Sequence, residues 1–348
     1  MTEYRITIKS VSSYKVLDHF FDYELDGWMG SDVCHSIILN DKKILWLFGD
    51  TLIGRTEKKK RGSDWNLINN SVGIMELKDG EPNKMNFFWQ CDGKVSLSFF
   101  NYPDKMIGDF IWPTNGIVLN KKLYIFAMAV NATLDNSIDV DGTVCLKIDN
   151  YLDNPMNWKT EYWDFQFSGG VIHAALYGEN GFLYFLGFHG KETSNHMILG
   201  RMNTNELSEK TNASRIEFFQ KNKTWDNNLR GAKPMFKPCN TESNIYFKKD
   251  LETFFTTTYT SQNNELSLTW AKKITGPWSA PLPIYTIPVQ NKNFPVNSYA
   301  MRIHPWISDK RGKLIISYAT NEYGGMDHLF TEEGMDIYRP YFIEVELS

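Results

Sequence analysis

The feature that most constrains this chain is a hairpin unit that returns five times. Each copy is a short apolar strand, a polar turn and a second, strongly apolar or aromatic strand. The copies lie at Ser36–Asp50 (SIILNDKKILWLFGD), Asn115–Val130, His173–Phe188, Ser243–Tyr259 and Ile303–Ala319. The turns NDKK, NKK, GENG, KKD and SDKRGK place Asn, Asp, Gly and Lys where strands reverse. They fall near positions 41, 120, 179, 249 and 310, about 67 residues apart, so five units fill nearly all of the 348 residues. Units of this size with room for four strands predict an all-β fold, a five-bladed β-propeller forming one domain over residues 1–348.

The outer strands of each blade are also readable. Val72–Gly80 with Met85–Gln90 completes the first blade, and Gly142–Ile148 with Thr160–Phe167 the second. Met197–Asn203 with Arg215–Gln220 serves the third, and Leu266–Lys272 with Ala280–Ile287 the fourth. The last hairpin is followed only by Tyr341–Leu347, one strand short. The N-terminal Glu3–Val11 is expected to join this blade and close the ring, which removes two sheet edges. The best helical candidate, Trp225–Phe236, is broken by Gly231 and Pro234, so no helix is expected.

Composition narrows the function. Aromatic residues reach 15%, which suits pleated, half-buried strands and also flat platforms for sugar rings. A net charge of −4 removes the electrostatic drive for duplex or anionic-membrane binding, so no nucleic-acid partner is expected. No run of 18 apolar residues is present, which excludes a membrane-spanning helix. The opening MTEYRITIKS lacks the apolar core of a secretion signal, so a cytoplasmic location is expected. Cys34, Cys91, Cys145 and Cys239 are widely spaced, which points to buried reduced thiols. His173, His189 and His304 show no metal-ligand spacing, so no metal or other cofactor is expected, although channel acids could hold Ca²⁺ without a readable motif.

In a propeller the innermost strands line a channel, and residues at their entries converge on one funnel. Those positions here are Asp32; Asp109 with Trp112 and Asn115; His173; Glu242; and Arg302 with His304. All are polar or ionisable at the core position, whereas packing alone would favour an apolar channel. Asp32 and Asp50 are separated by a strand, a turn and a returning strand, so both fall at one end of the same hairpin. Two facing carboxylates are what acid and base, or acid and nucleophile, require. Repulsion and desolvation would hold one of them protonated at neutral pH. Glu242 and Asp109 are further acids or pKa modulators. Trp28, Trp112 and Trp306 lie beside the entries and could stack on a sugar, while Arg302 could hold an anionic group bidentately.

The Asp-containing entry, the apolar strand, the polar turn and LWLFGDT resemble the first blade of five-bladed propeller glycosidases. They are most similar to glycoside hydrolase family 183, the endo-D-arabinanases. That resemblance implies a catalytic role for both Asp32 and Asp50. The wider clan of furanose-cleaving propellers also uses a first-blade Asp with further acids from other blades, and Asp109 and Glu242 match their general position. The segment SYAMRIHPWISDKRGKLIISYATN is similar to the last blade of related propellers, which places Arg302 and His304 in the funnel.

The expected function is therefore glycoside hydrolysis of a furanoside, arabinan-like or a related bacterial glycan. Asp32, Asp50 and Glu242 are its catalytic candidates. Asp109, Trp112, Asn115, His173, Arg302, His304 and Trp28 are its substrate-binding candidates, and an oligo- or polysaccharide is its partner. The alternatives are a non-catalytic carbohydrate-binding propeller and a protein-interaction scaffold, because propellers host many functions.

Overall fold

A strand covered on both faces is apolar along most of its length, and the second strands of the first two blades are. In Lys43–Phe48 the residues Ile44, Trp46 and Phe48 pack with Ile315 and Phe342 on one side. Leu45 and Leu47 pack with Ile125, Ala127 and Leu146 on the other. The period is still two, but each face belongs to a different neighbouring sheet. Lys122–Ala132 repeats the arrangement: Tyr124 and Phe126 meet Leu183 and Phe185, while Ile125 and Ala127 meet Leu45 and Leu47. Leu45, Trp46 and Leu47 are fully buried, each worth roughly 1.5–3 kcal/mol in surface removed from water.

The computed structural model describes residues 6–348 except 23–26, 58–59, 101, 104–105, 133–137, 166–169, 190–195, 208–212, 238–241, 261–263 and 290–292. Five antiparallel sheets follow one another as the blades of a five-bladed β-propeller. The first is His35–Ile38, Lys43–Phe48, Ser71–Lys78 and Glu81–Phe88; the second is Phe110–Leu119, Lys122–Ala132, Ile138–Ile148 and Thr160–Asp164. The third contains Gly170–Glu179, Phe182–His189, Ile198–Asn203, Glu217–Phe219 and a short fifth strand, Trp225–Asp226. The fourth contains Tyr246–Lys248, Thr253–Thr260, Glu265–Ala271 and Leu282–Thr286. In the fifth, Val296–Ile303, Leu314–Glu322 and Pro340–Leu347 are joined at the outer edge by Ile8–Ser13, with Val11 opposite Val345. The N-terminal strand thus supplies the missing outer strand and continues to Ser13, past the expected Val11, while Glu3–Arg5 lie outside the described residues.

Turn chemistry sets several of the reversals. Asn120 and Lys121 both have positive φ (50° and 58°), as do Asn180 and Gly181 (50° and 76°), which is the backbone of a two-residue hairpin turn.

Beyond the third blade's fifth strand and a one-turn helix at Thr204–Leu207, two larger elements depart from the expected pattern. The fifth hairpin is closed by a helix, Pro305–Arg311, rather than by a tight turn. Pro305 opens it, Gly312 ends it at φ 67°, and Trp306 and Ile307 sink into the packing against Trp46. The first blade also carries an extra three-stranded sheet, Trp28–Ser31, Thr51–Glu57 and Lys60–Ile68. Trp65 stands exposed on this sheet and stacks on Phe330. Cys34 and Cys145 are buried, but Cys91 is exposed.

Candidate functional site

The extra sheet is a continuation of the first-blade hairpin beyond a kink, and the kink holds Asp32 and Asp50. Ser31 opposes Thr51 and His35 opposes Leu47, so the register sets Asp32 opposite Asp50. The backbones are bonded there: Asp32 N donates to Asp50 O (3.2 Å) and Gly49 N to Asp32 O (3.2 Å). Ser31 Oγ donates to the carbonyls of Asp32 and Asp50 (2.8 Å each), and Thr51 Oγ1 to Ser31 Oγ (3.1 Å) and Gly49 O (2.8 Å). Like charges directly opposite on a strand pair are destabilising, so their retention is not a packing requirement.

Room for the pair is made by absent side chains. A Cβ on Gly49 would collide with Asp32 Oδ1, and one on Gly30 (φ 143°) with the carbonyl of Tyr338. Val33, Ala300 and Tyr338 hold left-handed backbone at φ 50°, 55° and 62°, a conformation that non-glycine residues avoid. Val33 and Ala300 pack together with Ala319 and with Tyr299, whose hydroxyl reaches Asp32. Such strain persists only where surrounding structure enforces it, and it gathers at functional sites.

The two carboxyls meet different partners. Tyr299 Oη donates to Asp32 Oδ2 (3.2 Å), while Asp32 Oδ1 is buried without a donor among the described residues. Burial, then the nearby Asp50 and Glu242 charges, push the Asp32 carboxyl well above the usual carboxylate range. Asp50 Oδ1 accepts the indole N–H of Trp112 (2.7 Å) and Asn69 Nδ2 (3.5 Å). Burial raises Asp50 to about 6, with those two donors holding it lower than it would otherwise stand. Tyr338 Oη donates to the Asp50 carbonyl (3.0 Å). Burial also lifts the Tyr299 and Tyr338 hydroxyls well above the ordinary tyrosine range, so both remain donors at neutral pH.

Tyr338 is held by a buried arginine. Arg61, on the extra sheet, donates to the carbonyls of Met29 (3.0 Å), Leu329 (2.7 Å), Gly334 (2.8 Å) and Ile337 (2.7 Å). The segment that carries Tyr338 is thereby fixed to the first blade.

The fifth blade contributes a contrasting arginine. Arg302 is fully buried and, among the described residues, none of its three guanidinium nitrogens has a hydrogen-bond partner. Burial lowers it to about 9, against the opposing pull of Glu242. The Glu242 side chain is half-buried and close enough to bias Asp32, Tyr299 and Arg302 electrostatically. The structure therefore brings Asp32, Asp50, Glu242, Trp112 and Arg302 into one neighbourhood. Among the described residues, no three His, Cys, Asp or Glu side chains come together as a metal site.

Other sequence candidates lie elsewhere. Trp28 is no platform: it is fully buried, stacked on Phe87 (4.6 Å, 13°) beside Phe48, because its strand belongs to the packed extension of the first blade. His304 is too deep to touch a ligand, with Nδ1 bonded to Ser36 Oγ (2.8 Å) and its ring against Trp46; burial lowers it to about 3, keeping it neutral. Trp306 is likewise packed against Trp46. Asp109 is exposed and caps the neighbouring strand by accepting Ala132 N (3.0 Å). Asn115 is buried and spans the channel wall, donating to Ser243 O (3.1 Å). The side chain of His173 lies outside the described residues. Tyr299, Tyr338 and Arg61 were not anticipated: each sits in a stretch with no spacing that sets it apart.

Residues 15–347 match the family described as "Domain of unknown function (DUF5005)". None of the curated proteins matches the sequence. Among solved structures, the chain is similar to a candidate hydrolase from Bacteroides ovatus at 17% identity and TM-score 0.78, over 96% of this chain and 90% of that one. It is also similar to a family 43 β-xylosidase/α-arabinofuranosidase from a compost metagenome, solved with xylotriose. That match has 11% identity and TM-score 0.54, over 97% and 95% of the two chains. At these identities the likeness establishes the five-bladed propeller fold. With nearly its whole length matched, the chain belongs to the DUF5005 family.

Proposed function

We propose that the protein is a glycoside hydrolase acting on a furanoside, arabinan-like or a related bacterial glycan, with Asp32 and Asp50 as its carboxylate pair. The observation that carries this reading is the unequal environment of two cross-strand carboxyls. Asp32, pushed well above the usual carboxylate range, suits the general acid that protonates the leaving oxygen. Asp50, at about 6 and hydrogen-bonded by Trp112, is largely ionised and suits the base or nucleophile. Glu242 adds negative charge near Asp32 and so reinforces its protonation. Opposite protonation of two neighbouring carboxyls is what cleavage through an oxocarbenium-like transition state needs. The fold's occurrence in a β-xylosidase/α-arabinofuranosidase supports this reading by analogy, since a fold alone does not decide function.

The test is sugar release from arabinans, fructans, xylans and bacterial surface glycans by the purified protein beside Asp32→Asn and Asp50→Asn. Release that falls at least about 10³-fold in both variants is expected, comparable to removing a positioned acid or base along with its electrostatic support. Glycan binding without release in all three proteins would replace this reading with the carbohydrate-binding one.

A further inference from the structure

The channel has a second opening, on the face away from the carboxylate pair. The innermost strands run from the funnel to this far face, where Ile37, Ile117, Tyr246 and Phe247 surround a cavity of about 310 Å³. That volume is at the lower end of small-molecule sites. Pro305 and Asp309, from the helix that closes the fifth hairpin, form part of its wall. This helix, absent from an ordinary hairpin turn, is what brings a charged side chain to the mouth.

Among the described residues, Asp309 is the only charged one lining the cavity, and no Lys or Arg lines it. Its carboxylate is exposed and accepts the Tyr246 hydroxyl (2.6 Å) at Oδ1. Tyr177, Tyr246 and Phe247 place three aromatic rings along the wall, which favour a cation over an anion. The neutral polar side chains deeper in have little to offer an anion. Asn244 spends its amide on the Ile303 backbone (2.7 and 3.0 Å), and Ser36 is bonded to His304. The buried His35 Nδ1 has no hydrogen-bond partner among the described residues, and burial with the nearby Arg302 charge lowers the ring's pKa well below its usual value.

We infer that this far mouth binds a small organic cation, with the ammonium at Asp309 between the aromatic rings and an apolar body against Ile37 and Ile117. The site is separate from the carboxylate pair and does not depend on the chemistry assigned there.

Calorimetric titration of the full chain with hexylammonium, hexan-1-ol and hexanoate tests it. Hexylammonium is expected to bind saturably at one per chain, at least tenfold tighter than hexan-1-ol, with hexanoate weakest. Asp309→Asn keeps an acceptor for Tyr246 and lies on the surface, so the fold should survive. It is expected to reduce hexylammonium affinity at least tenfold, to the level of the alcohol. Absence of saturable amine binding, equal binding of the alcohol, or unchanged affinity in Asp309→Asn would each overturn the inference.

Discussion

Arg61, on the sheet that extends the first blade, and Arg302, on the innermost strand of the fifth, are 2% and 0% exposed, yet their surroundings differ in kind. Around Arg61 four backbone carbonyls accept its donors, so the charge is solvated by the protein. Around Arg302 no hydrogen-bond acceptor is in place among the described residues, and Glu242 is the carboxylate whose charge bears on it most. The first region is built to be stable: it ties the Tyr338 segment to the first blade. The second tolerates an expense that packing would avoid, beside a carboxylate pair that is itself electrostatically unfavourable. Burial alone therefore does not separate structural from functional charge; the completeness of hydrogen bonding does.

Substitution should drive the two regions in opposite directions. Arg61→Ala leaves the carbonyls of Met29, Leu329, Gly334 and Ile337 without their donor. It should lower stability by about 3–5 kcal/mol, read as the urea midpoint. Arg302→Met removes an unpaired buried charge while keeping similar bulk. Its stability should hold or rise by about 1–4 kcal/mol, while glycan cleavage falls. Equal destabilisation by both changes would erase the contrast and make Arg302 an ordinary structural residue.

The fold was largely legible in the sequence because a propeller repeats its signal. Runs such as KILWLF and KLYIFAMAV are apolar on both faces, and turns such as NKK and GENG punctuate them, so blade spacing survives local errors. The extra sheet was not legible, since Asp64–Ile68 alternates weakly and its partner strand is the continuation of a hairpin already counted. The helix at Pro305 was hidden because SDKRGK satisfies turn chemistry as well as helix-end chemistry.

For the site, Asp32 and Asp50 could be placed together because strand register is short-range arithmetic. Trp112 is legible as a stacking surface beside an entry, but the bond from its indole N–H to Asp50 is not. Trp28 misled because adjacency to an entry in sequence says nothing about which face a strand residue presents. Tyr299, Tyr338 and Arg61 depend on contacts spanning 267 to 288 residues, which no local pattern encodes.

The central claim is that one fold gives two neighbouring carboxyls different acidities, and the pH dependence of kcat/KM tests it most directly. Asp50 must be ionised to act as base or nucleophile, so activity should rise with pH through about 6. Trp112→Phe removes a hydrogen bond that favours the ionised form, so the Asp50 pKa, and with it this acid limb, should move upward by about one unit. An acid limb in the ordinary carboxylate range, or one that stays in place in Trp112→Phe, would contradict the account.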